Sequence, residues 1–182
     1  MYKRNIEIKA RCRNQKHIRN LLLDRGADCR GTDHQFDTYF DVENGRLKLR
    51  EGTIENALIH YERDDQTGPK QSNVLLYEVQ AGSSLKEILA KVFGVLVVVD
   101  KQREIYFIDN VKFHIDRVGG LGEFVEIEAI DEDGSRSVES LHAQCRFFMD
   151  ILGITQDDLL VSSYSDMLLC AIDLPALQPN PR

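Results

Sequence analysis

The chain has 182 residues, enough for one domain, and its hydrophobic fraction of 42% can supply a core. Its formal net charge of −7 argues against bulk electrostatic attraction to nucleic acid. The spacing of Cys12, Cys29, Cys145 and Cys170 matches no structural zinc motif, so we expect free thiols in a reducing, cytoplasmic compartment.

Strand signals dominate the chain. RNIEIKARC (4–12) alternates polar and apolar residues, and Asn44-Gly45 predicts a hairpin within HQFDTYFDVENGRLKLRE (34–51). Further strands are predicted in NALIHYERD (56–64), SNVLLYEVQ (72–80), VLVVVDKQ (95–102) leading into the hairpin REIYFIDNVKFHIDRV (103–118), and EFVEIEAI (123–130). The chain thus contains about eight strands, mostly joined by tight turns, which indicates an antiparallel α+β fold.

Helices are predicted in three segments. These are QKHIRNLLLDRGA (15–27), SLKEILAKVFG (84–94) and SVESLHAQCRFFMDILG (137–153), with a short turn or helix in TQDDLLV (155–161). The longest apolar run, VFGVLVVV (92–99), is too short to span a membrane. Three of the four prolines lie in the last nine residues, so we expect one domain at 1–170 and a loose tail at 171–182.

One face of the predicted strands carries fixed charges. Glu126 and Glu128 lie two residues apart in a strand, so both carboxylates point to the same side. Enclosed in a protein at about 7 Å and an effective dielectric constant near 20, they would repel by about 2.4 kcal/mol and need a compensating cation, whereas in water the repulsion would be a fraction of that. The other charged faces contain Asn5, Glu7, Lys9 and Arg11; Arg46, Lys48 and Arg50; Arg63; Lys101 and Arg103; and Lys112, His114 and Asp116.

Two architectures fit this alternation. An open sheet would expose the charges to water, whereas a closed barrel would enclose them and leave the helices outside. Inside a barrel, the carboxylates suit a divalent metal and the surplus Lys and Arg suit a polyanion. The ligand that satisfies both is a di- or triphosphate with Mg²⁺ or Mn²⁺.

An ordered set of motifs resembles the CYTH domain family, also called triphosphate tunnel metalloenzymes. The motifs are NIEIK, DTYFD, RLKLRE, YERDDQTGPK, DKQREIYF, FHIDRVGGLGEFVEIE and SSYSDML. The sequence is most similar to the class IV adenylate cyclase-like subgroup, but Asn5 stands where the family's ExExK motif has glutamate. The resemblance implies a closed eight-stranded antiparallel β-barrel, the triphosphate tunnel, with helices packed outside.

The resemblance also implies roles for individual residues. The metal ligands, for Mg²⁺ or Mn²⁺, would be Glu7, Asp116, Glu126 and Glu128. The phosphate-binding residues would be Lys9, Lys48, Arg50, Arg63, Lys70, Lys101 and Arg103. The catalytic residues would be Lys9, Arg63, Arg103 and Tyr164. By contrast, His114 is interpreted as a satisfied polar residue, and Arg11, Arg46 and Lys112 as solvated strand ends.

These roles imply a divalent-metal-dependent enzyme that cleaves a phosphoanhydride of a small-molecule triphosphate, namely ATP, thiamine triphosphate or tripolyphosphate. It would act as a triphosphatase or as a class IV type adenylate cyclase making cyclic AMP and pyrophosphate. Hydrolysis is favoured because it demands least of the site. The alternative is a nucleotide- or polyphosphate-binding module without turnover, because Asn5 removes one negative charge. No nucleic acid or membrane partner is expected, and a homodimer is left open.

Overall fold

The computed structural model describes residues 2–63 and 68–173. Within these ranges the chain forms eight strands and four α-helices. The strands are β1 (Tyr2–Arg11), β2 (Asp28–Phe40), β3 (Arg46–Gly52), β4 (Ala57–Arg63), β5 (Lys70–Glu78), β6 (Val95–Ile108), β7 (Val111–Val118) and β8 (Gly122–Asp131). The helices are α1 (Gln15–Asp24), α2 (Leu85–Phe93), α3 (Val138–Leu152) and α4 (Tyr164–Asp173).

The eight strands close into one antiparallel barrel in the order β1-β5-β4-β3-β2-β6-β7-β8. This confirms the predicted closed barrel and excludes the open sheet. The register places Glu7 opposite Glu128 and Lys9 opposite Glu126 across the β1–β8 pair. Because side chains alternate along a strand, one face of β1 and β8 points inward and the other points outward. The inward residues include Asn5, Glu7, Lys9, Glu126 and Glu128, and the outward ones include Ile6, Ile8, Ala10, Val125, Ile127 and Ala129.

The main apolar core lies outside the barrel. α1 and α3 pack against the outer surface of β1, β7 and β8. At its centre the Phe113 ring, fully buried, meets the Phe148 ring edge-on with centroids 4.8 Å apart. Removing such a ring costs roughly 3–5 kcal/mol, so this layer holds the strands that carry the carboxylates. A smaller cluster of Phe40, Leu49 and Leu89 attaches α2 to β2 and β3.

α4 closes one end of the barrel. The Tyr164 ring packs against the Phe124 ring at 4.9 Å, within an apolar cluster that includes Val99. SSYSDMLL (162–169), for which no helix was predicted, contains the start of α4, whereas TQDDLLV contains the expected short turn, a 3₁₀ helix at Gln156–Asp158. The predicted tail begins inside α4 and continues into 174–182, beyond the described residues. In the described ranges, none of the helices has the length and apolar character needed to cross a bilayer.

Candidate functional site

The barrel encloses a cavity of about 640 Å³. Ser163 and Tyr164, at the start of α4, line it at the closed end. Ile54 and Glu55, in the loop that joins β3 to β4, line it at the opposite end. A volume of this size suits a small-molecule ligand.

An acidic wall is formed by Glu7 from β1 and Glu126 and Glu128 from β8, which all line the cavity. Burial raises the pKa of Glu128; Lys112 opposes this shift and the charge of Glu7 adds to it. Glu126 is held by the Lys9 ammonium and by Arg103, whose Nη2 lies 2.8 Å from Glu126 Oε2. The predicted carboxylates of β1 and β8 are thus brought together.

His114 stands beside this wall and was not expected to be a ligand. Its Nδ1 lies 3.0 Å from Glu126 Oε2 and 3.6 Å from Glu128 Oε1, and its side chain is 1% exposed. Burial, together with the charges of Arg103 and Lys112, lowers the pKa of His114 well below its ordinary value, so the imidazole is neutral near pH 7.

The donors around His114 fit a divalent cation. One atom each from His114, Glu126 and Glu128 lies within 4.8 Å of the other two. Asn5 Oδ1 and His114 Nε2 are buried and make no hydrogen bond to the described residues. Carboxylate and amide oxygens with an imidazole nitrogen are ordinary ligands of divalent first-row ions, so these residues can hold a metal.

A basic wall lies across the cavity and is organised by Asp37 of β2. The Asp37 carboxylate accepts from Lys101 Nζ at 2.6 Å and from Lys48 Nζ at 2.9 Å. Arg50 Nε and Nη2 donate to its two oxygens at 2.9 and 3.1 Å. Burial opposes ionisation of Asp37, but the Arg50, Lys101 and Lys48 charges hold its pKa well below the ordinary value. Three predicted phosphate ligands therefore converge, on a carboxylate that sequence analysis missed.

Glu55 links Arg50 of the basic wall to Lys112 at the open end of the cavity. Its carboxylate lies 2.8 Å from Arg50 Nη1 and 2.5 Å from Lys112 Nζ. Burial raises its pKa, but Arg50 and Lys112 dominate and lower it to about 2. The Lys112 side chain is only 13% exposed, so its interpretation as a solvated strand end is wrong.

Arg103 is fixed from behind by Asp116. Arg103 Nε and Nη2 donate to the two Asp116 oxygens at 2.7 and 2.5 Å, and the Tyr164 hydroxyl donates to Asp116 Oδ2 at 2.8 Å. Asp116 is fully buried. The metal-ligand role of Asp116 stays a prediction, while the contacts show it holding Arg103 and Tyr164 at the edge of the cavity.

The remaining predicted residues are distributed around the closed end. The Lys9 ammonium lies 3.5 Å above the centre of the Tyr164 ring, and both residues line the cavity. The Lys70 ammonium donates to the backbone oxygen of Val161, just before α4. Arg63 is the last residue of β4, and its side chain lies outside the described part of the structure.

Comparison with known proteins agrees with this geometry. The CYTH domain family model matches residues 3–164. No curated protein matches the chain. Among solved structures, the PH1012 protein of Pyrococcus horikoshii is 28% identical, with a TM-score of 0.77, covering 89% of this chain and 98% of that chain.

Two more distant structures share the fold. A candidate adenylate cyclase of Vibrio parahaemolyticus is 16% identical, with a TM-score of 0.73, covering 90% of this chain and 97% of that chain. The Hippeastrum protein HpAC1, whose structure is reported with a dominant triphosphatase activity, is 14% identical with a TM-score of 0.60. That match covers 98% of this chain and 100% of HpAC1.

Proposed function

Because this chain belongs to the CYTH domain family, we propose that it is a divalent-metal-dependent triphosphatase that hydrolyses a small-molecule triphosphate inside the barrel. One observation carries the proposal. The acidic wall of Glu7, Glu126 and Glu128 and the basic wall of Lys48, Arg50 and Lys101 line the same cavity. Substrates that fit are ATP, thiamine triphosphate and tripolyphosphate.

Charge balance supports metal dependence. Among the described residues, seven carboxylates and six Lys or Arg side chains line the cavity. The carboxylates are Glu7, Asp37, Glu55, Glu78, Glu126, Glu128 and Glu132, and the cations are Lys9, Lys48, Arg50, Lys101, Arg103 and Lys112. A triphosphate brings several further negative charges into this nearly balanced space. Glu7, Glu126 and Glu128 would hold a divalent cation that would offset this charge, so metal and triphosphate should bind together.

The side chains have separate tasks in hydrolysis. Lys48, Arg50 and Lys101 bind phosphate oxygens in competition with Asp37, which holds the three cations in place beforehand. Arg103, oriented by Asp116, neutralises charge that develops on the transferred phosphoryl group. Glu126 and Glu128 would hold a divalent metal, which would supply further positive charge to the phosphate groups.

We infer that water attacks from the acidic side, because carboxylates that can orient it line the cavity there. A carboxylate of that wall orients the water toward the terminal phosphorus, and the products are orthophosphate and a diphosphate. Cyclisation of ATP would instead require a ribose hydroxyl placed at the α-phosphate. Hydrolysis demands less of the site, and the triphosphatase activity reported for HpAC1 supports the same choice.

A binding module without turnover is the second candidate, and Asn5 is the observation that favours it. Asn5 lines the cavity at a position where a carboxylate would add negative charge for a metal. Such a module would bind a triphosphate with Mg²⁺ or Mn²⁺ and release no product.

The test compares wild type with Glu128→Gln. Each protein is incubated with ATP, thiamine triphosphate or tripolyphosphate and with Mg²⁺, Mn²⁺ or EDTA, and the products are resolved by chromatography. Glu128→Gln should lower metal-dependent orthophosphate release at least roughly tenfold by removing a ligand charge. It should leave the melting temperature in EDTA unchanged or raise it, because the pKa of Glu128 shows that burial disfavours its charge.

Glu123→Gln is the matched control, since Glu123 lies on the same strand and pairs with exposed Arg117 on the outer surface. It should keep wild-type turnover. Cyclic AMP as the main product would replace hydrolysis with cyclisation. Tight triphosphate binding without product in wild type would establish the binding module, and equal turnover by Glu128→Gln would show that the site is misplaced.

A further inference from the structure

We propose that His114 is a third metal ligand beside Glu126 and Glu128, and that this nitrogen donor makes the site prefer Mn²⁺ over Mg²⁺. The inference deepens the proposed function, because it rests on the cavity holding a divalent ion. It also reverses the sequence-based interpretation of His114 as a satisfied polar residue.

The position of His114 is set by the barrel. The β7–β8 register places His114 directly opposite Glu126, and the next inward residue of β8 is Glu128. His114 Nδ1 therefore faces oxygens of both residues, at 3.0 and 3.6 Å. The ring is 1% exposed, so it reaches this place without freedom to swing out into solvent.

A cation satisfies this arrangement better than a proton does. A single N–H on Nδ1 points toward one oxygen, whereas a divalent ion attracts the nitrogen and both carboxylates at once. Two ligand atoms that are each about 2.1 Å from an ion lie at most about 4.2 Å apart. The three atoms already lie within 4.8 Å of one another, so side-chain adjustments of a few tenths of an ångström would close the site.

The environment of His114 Nε2 allows the imidazole to change tautomer. His114 Nε2 is buried and makes no hydrogen bond to any described residue. Without a metal, Nδ1–H donates to Glu126 Oε2 at 3.0 Å. Because Nε2 has no other hydrogen bond to give up, the ring proton can move to Nε2 when Nδ1 turns its lone pair to a metal. A second buried polar atom without a partner, Asn5 Oδ1, lines the same cavity and leaves room for one more oxygen donor.

The donor set determines the choice of metal. Mg²⁺ prefers oxygen ligands at near-ideal octahedral geometry and retains its waters. An imidazole nitrogen suits first-row transition ions better, and carboxylates suit Mn²⁺. Asn5, which stands where the family motif has glutamate, also removes one hard anionic oxygen. Both differences shift the preference toward Mn²⁺.

The decisive measurement is pulsed electron paramagnetic resonance of the full chain loaded with Mn²⁺, alone and with inorganic tripolyphosphate. Wild type should show the ¹⁴N modulation of a directly bound imidazole, and labelling histidine with ¹⁵N should replace it with the ¹⁵N pattern. His114→Gln should abolish the nitrogen coupling. It should lower the affinity for Mn²⁺ at least roughly tenfold. It should change the affinity for Mg²⁺ less than about threefold, because the amide oxygen of glutamine is a hard donor.

His34→Gln is the control, because His34 is 41% exposed and contacts Asp100 on the outer surface of the barrel. It should leave both the coupling and the affinities unchanged. If His114→Gln does not fold, the ¹⁵N-histidine spectrum of wild type still decides. Bound Mn²⁺ without nitrogen coupling, or coupling that persists in His114→Gln, overturns the assignment.

The outcomes separate this inference from the proposed function. Nitrogen coupling in a protein that releases no product from any triphosphate supports the His114 ligand and contradicts the triphosphatase. Metal-dependent turnover with no nitrogen coupling contradicts the ligand and supports the triphosphatase. Failure to bind Mn²⁺ with or without tripolyphosphate contradicts both.

Discussion

Each cation of the basic wall, and also Arg103, has a buried carboxylate partner. Asp37 forms ion pairs with Lys48, Arg50 and Lys101, and Asp116 forms an ion pair with Arg103. Pairs of this kind are costly to bury and contribute little net stability, yet removing one member leaves an uncompensated charge. Their value lies in holding the cations in a fixed geometry before a phosphate arrives.

Arg103→Lys tests this geometry without changing the charge. Lysine offers one ammonium where the guanidinium of Arg103 makes three hydrogen bonds, two to Asp116 and one to Glu126. We expect kcat/KM for triphosphate hydrolysis to fall roughly ten- to hundredfold, through a lower kcat as well as a higher KM, because Arg103 is assigned to the phosphoryl group both in the ground state and in the transition state. Steady-state kinetics with saturating Mn²⁺ measures the effect.

Arg117→Lys is the matched control, because Arg117 lies on β7 beside Asp116 but its side chain is 69% exposed. It should retain wild-type kinetics. Unchanged kinetics in Arg103→Lys, with the fold intact by circular dichroism, would remove Arg103 from the phosphate site.

Sequence alone indicated the acidic wall and most of the basic wall because strand alternation is local. Glu126 and Glu128 are two residues apart, so their shared face needs no tertiary information. Asp37 was missed because its partners come from β3 and from β6, and the β2–β6 pairing is visible only once the barrel is closed. Glu55 was missed because it lies in a loop, where no periodicity exists.

Among the elements, α4 begins with a capping pattern that is visible in the sequence. Ser163 Oγ accepts from the Asp166 backbone N–H at 3.1 Å, and Asp166 Oδ2 accepts from the Ser163 N–H at 3.0 Å. This is a capping box in the sequence SYSD, a helix-start pattern that applies here with aspartate in place of glutamate. Arg46 also contacts Asp166 at 2.9 Å, so this cap ties α4 to β3 and the closed end.

The loop between β3 and β4 is held at the open end by Asp33. The Asp33 carboxylate, fully buried, accepts from the backbone N–H groups of Ile54 and Glu55 at 2.8 and 2.9 Å. Gly52 is required beside it, because a Cβ there would lie 2.7 Å from both Asp33 oxygens. The loop is therefore fixed, and it aims Glu55 at Arg50 and Lys112.

Glu55→Gln should change how stability depends on pH. The folded pKa of Glu55 is about 2 against an ordinary value of 4.5, so its stabilising effect is complete above pH 4.5 and is lost as pH falls toward 2. We expect the variant to be less stable than wild type by about 2 kcal/mol near neutral pH, with the difference shrinking below pH 4.5. Urea unfolding at several pH values measures it.

Glu43→Gln is the corresponding control, since Glu43 is exposed in the β2–β3 turn and should change stability little at any pH. A Glu55→Gln deficit that stayed constant down to about pH 3 would mean that the carboxylate is not ionised by Arg50 and Lys112 in the way the contacts indicate.

For the whole molecule, barrel closure converts local alternation into a binding site. Phe113 and Ile127, on the outer faces of β7 and β8, pack against α1 and α3, while His114 and Glu126 turn inward from the same strands. The main apolar core thus lies outside and most of the buried charges lie inside, which reverses the usual arrangement of a small barrel with an apolar interior. The enclosed charges are nearly balanced, so a single anion or cation entering alone disturbs them.

This balance predicts that metal and triphosphate stabilise the protein cooperatively. At about one hundred times its Kd, a ligand adds about 2.7 kcal/mol to the free energy of unfolding, or roughly 5–10 °C in Tm for a chain of this size. Mn²⁺ and tripolyphosphate together should reach that shift, whereas the sum of the shifts from each alone should be clearly smaller.

Scanning calorimetry of wild type and Glu128→Gln measures these shifts in Tm. The variant should lose the excess shift because it lacks one charge of the acidic wall. Additive shifts, or a full shift from tripolyphosphate without metal, would mean that the cavity binds the anion through its basic wall alone.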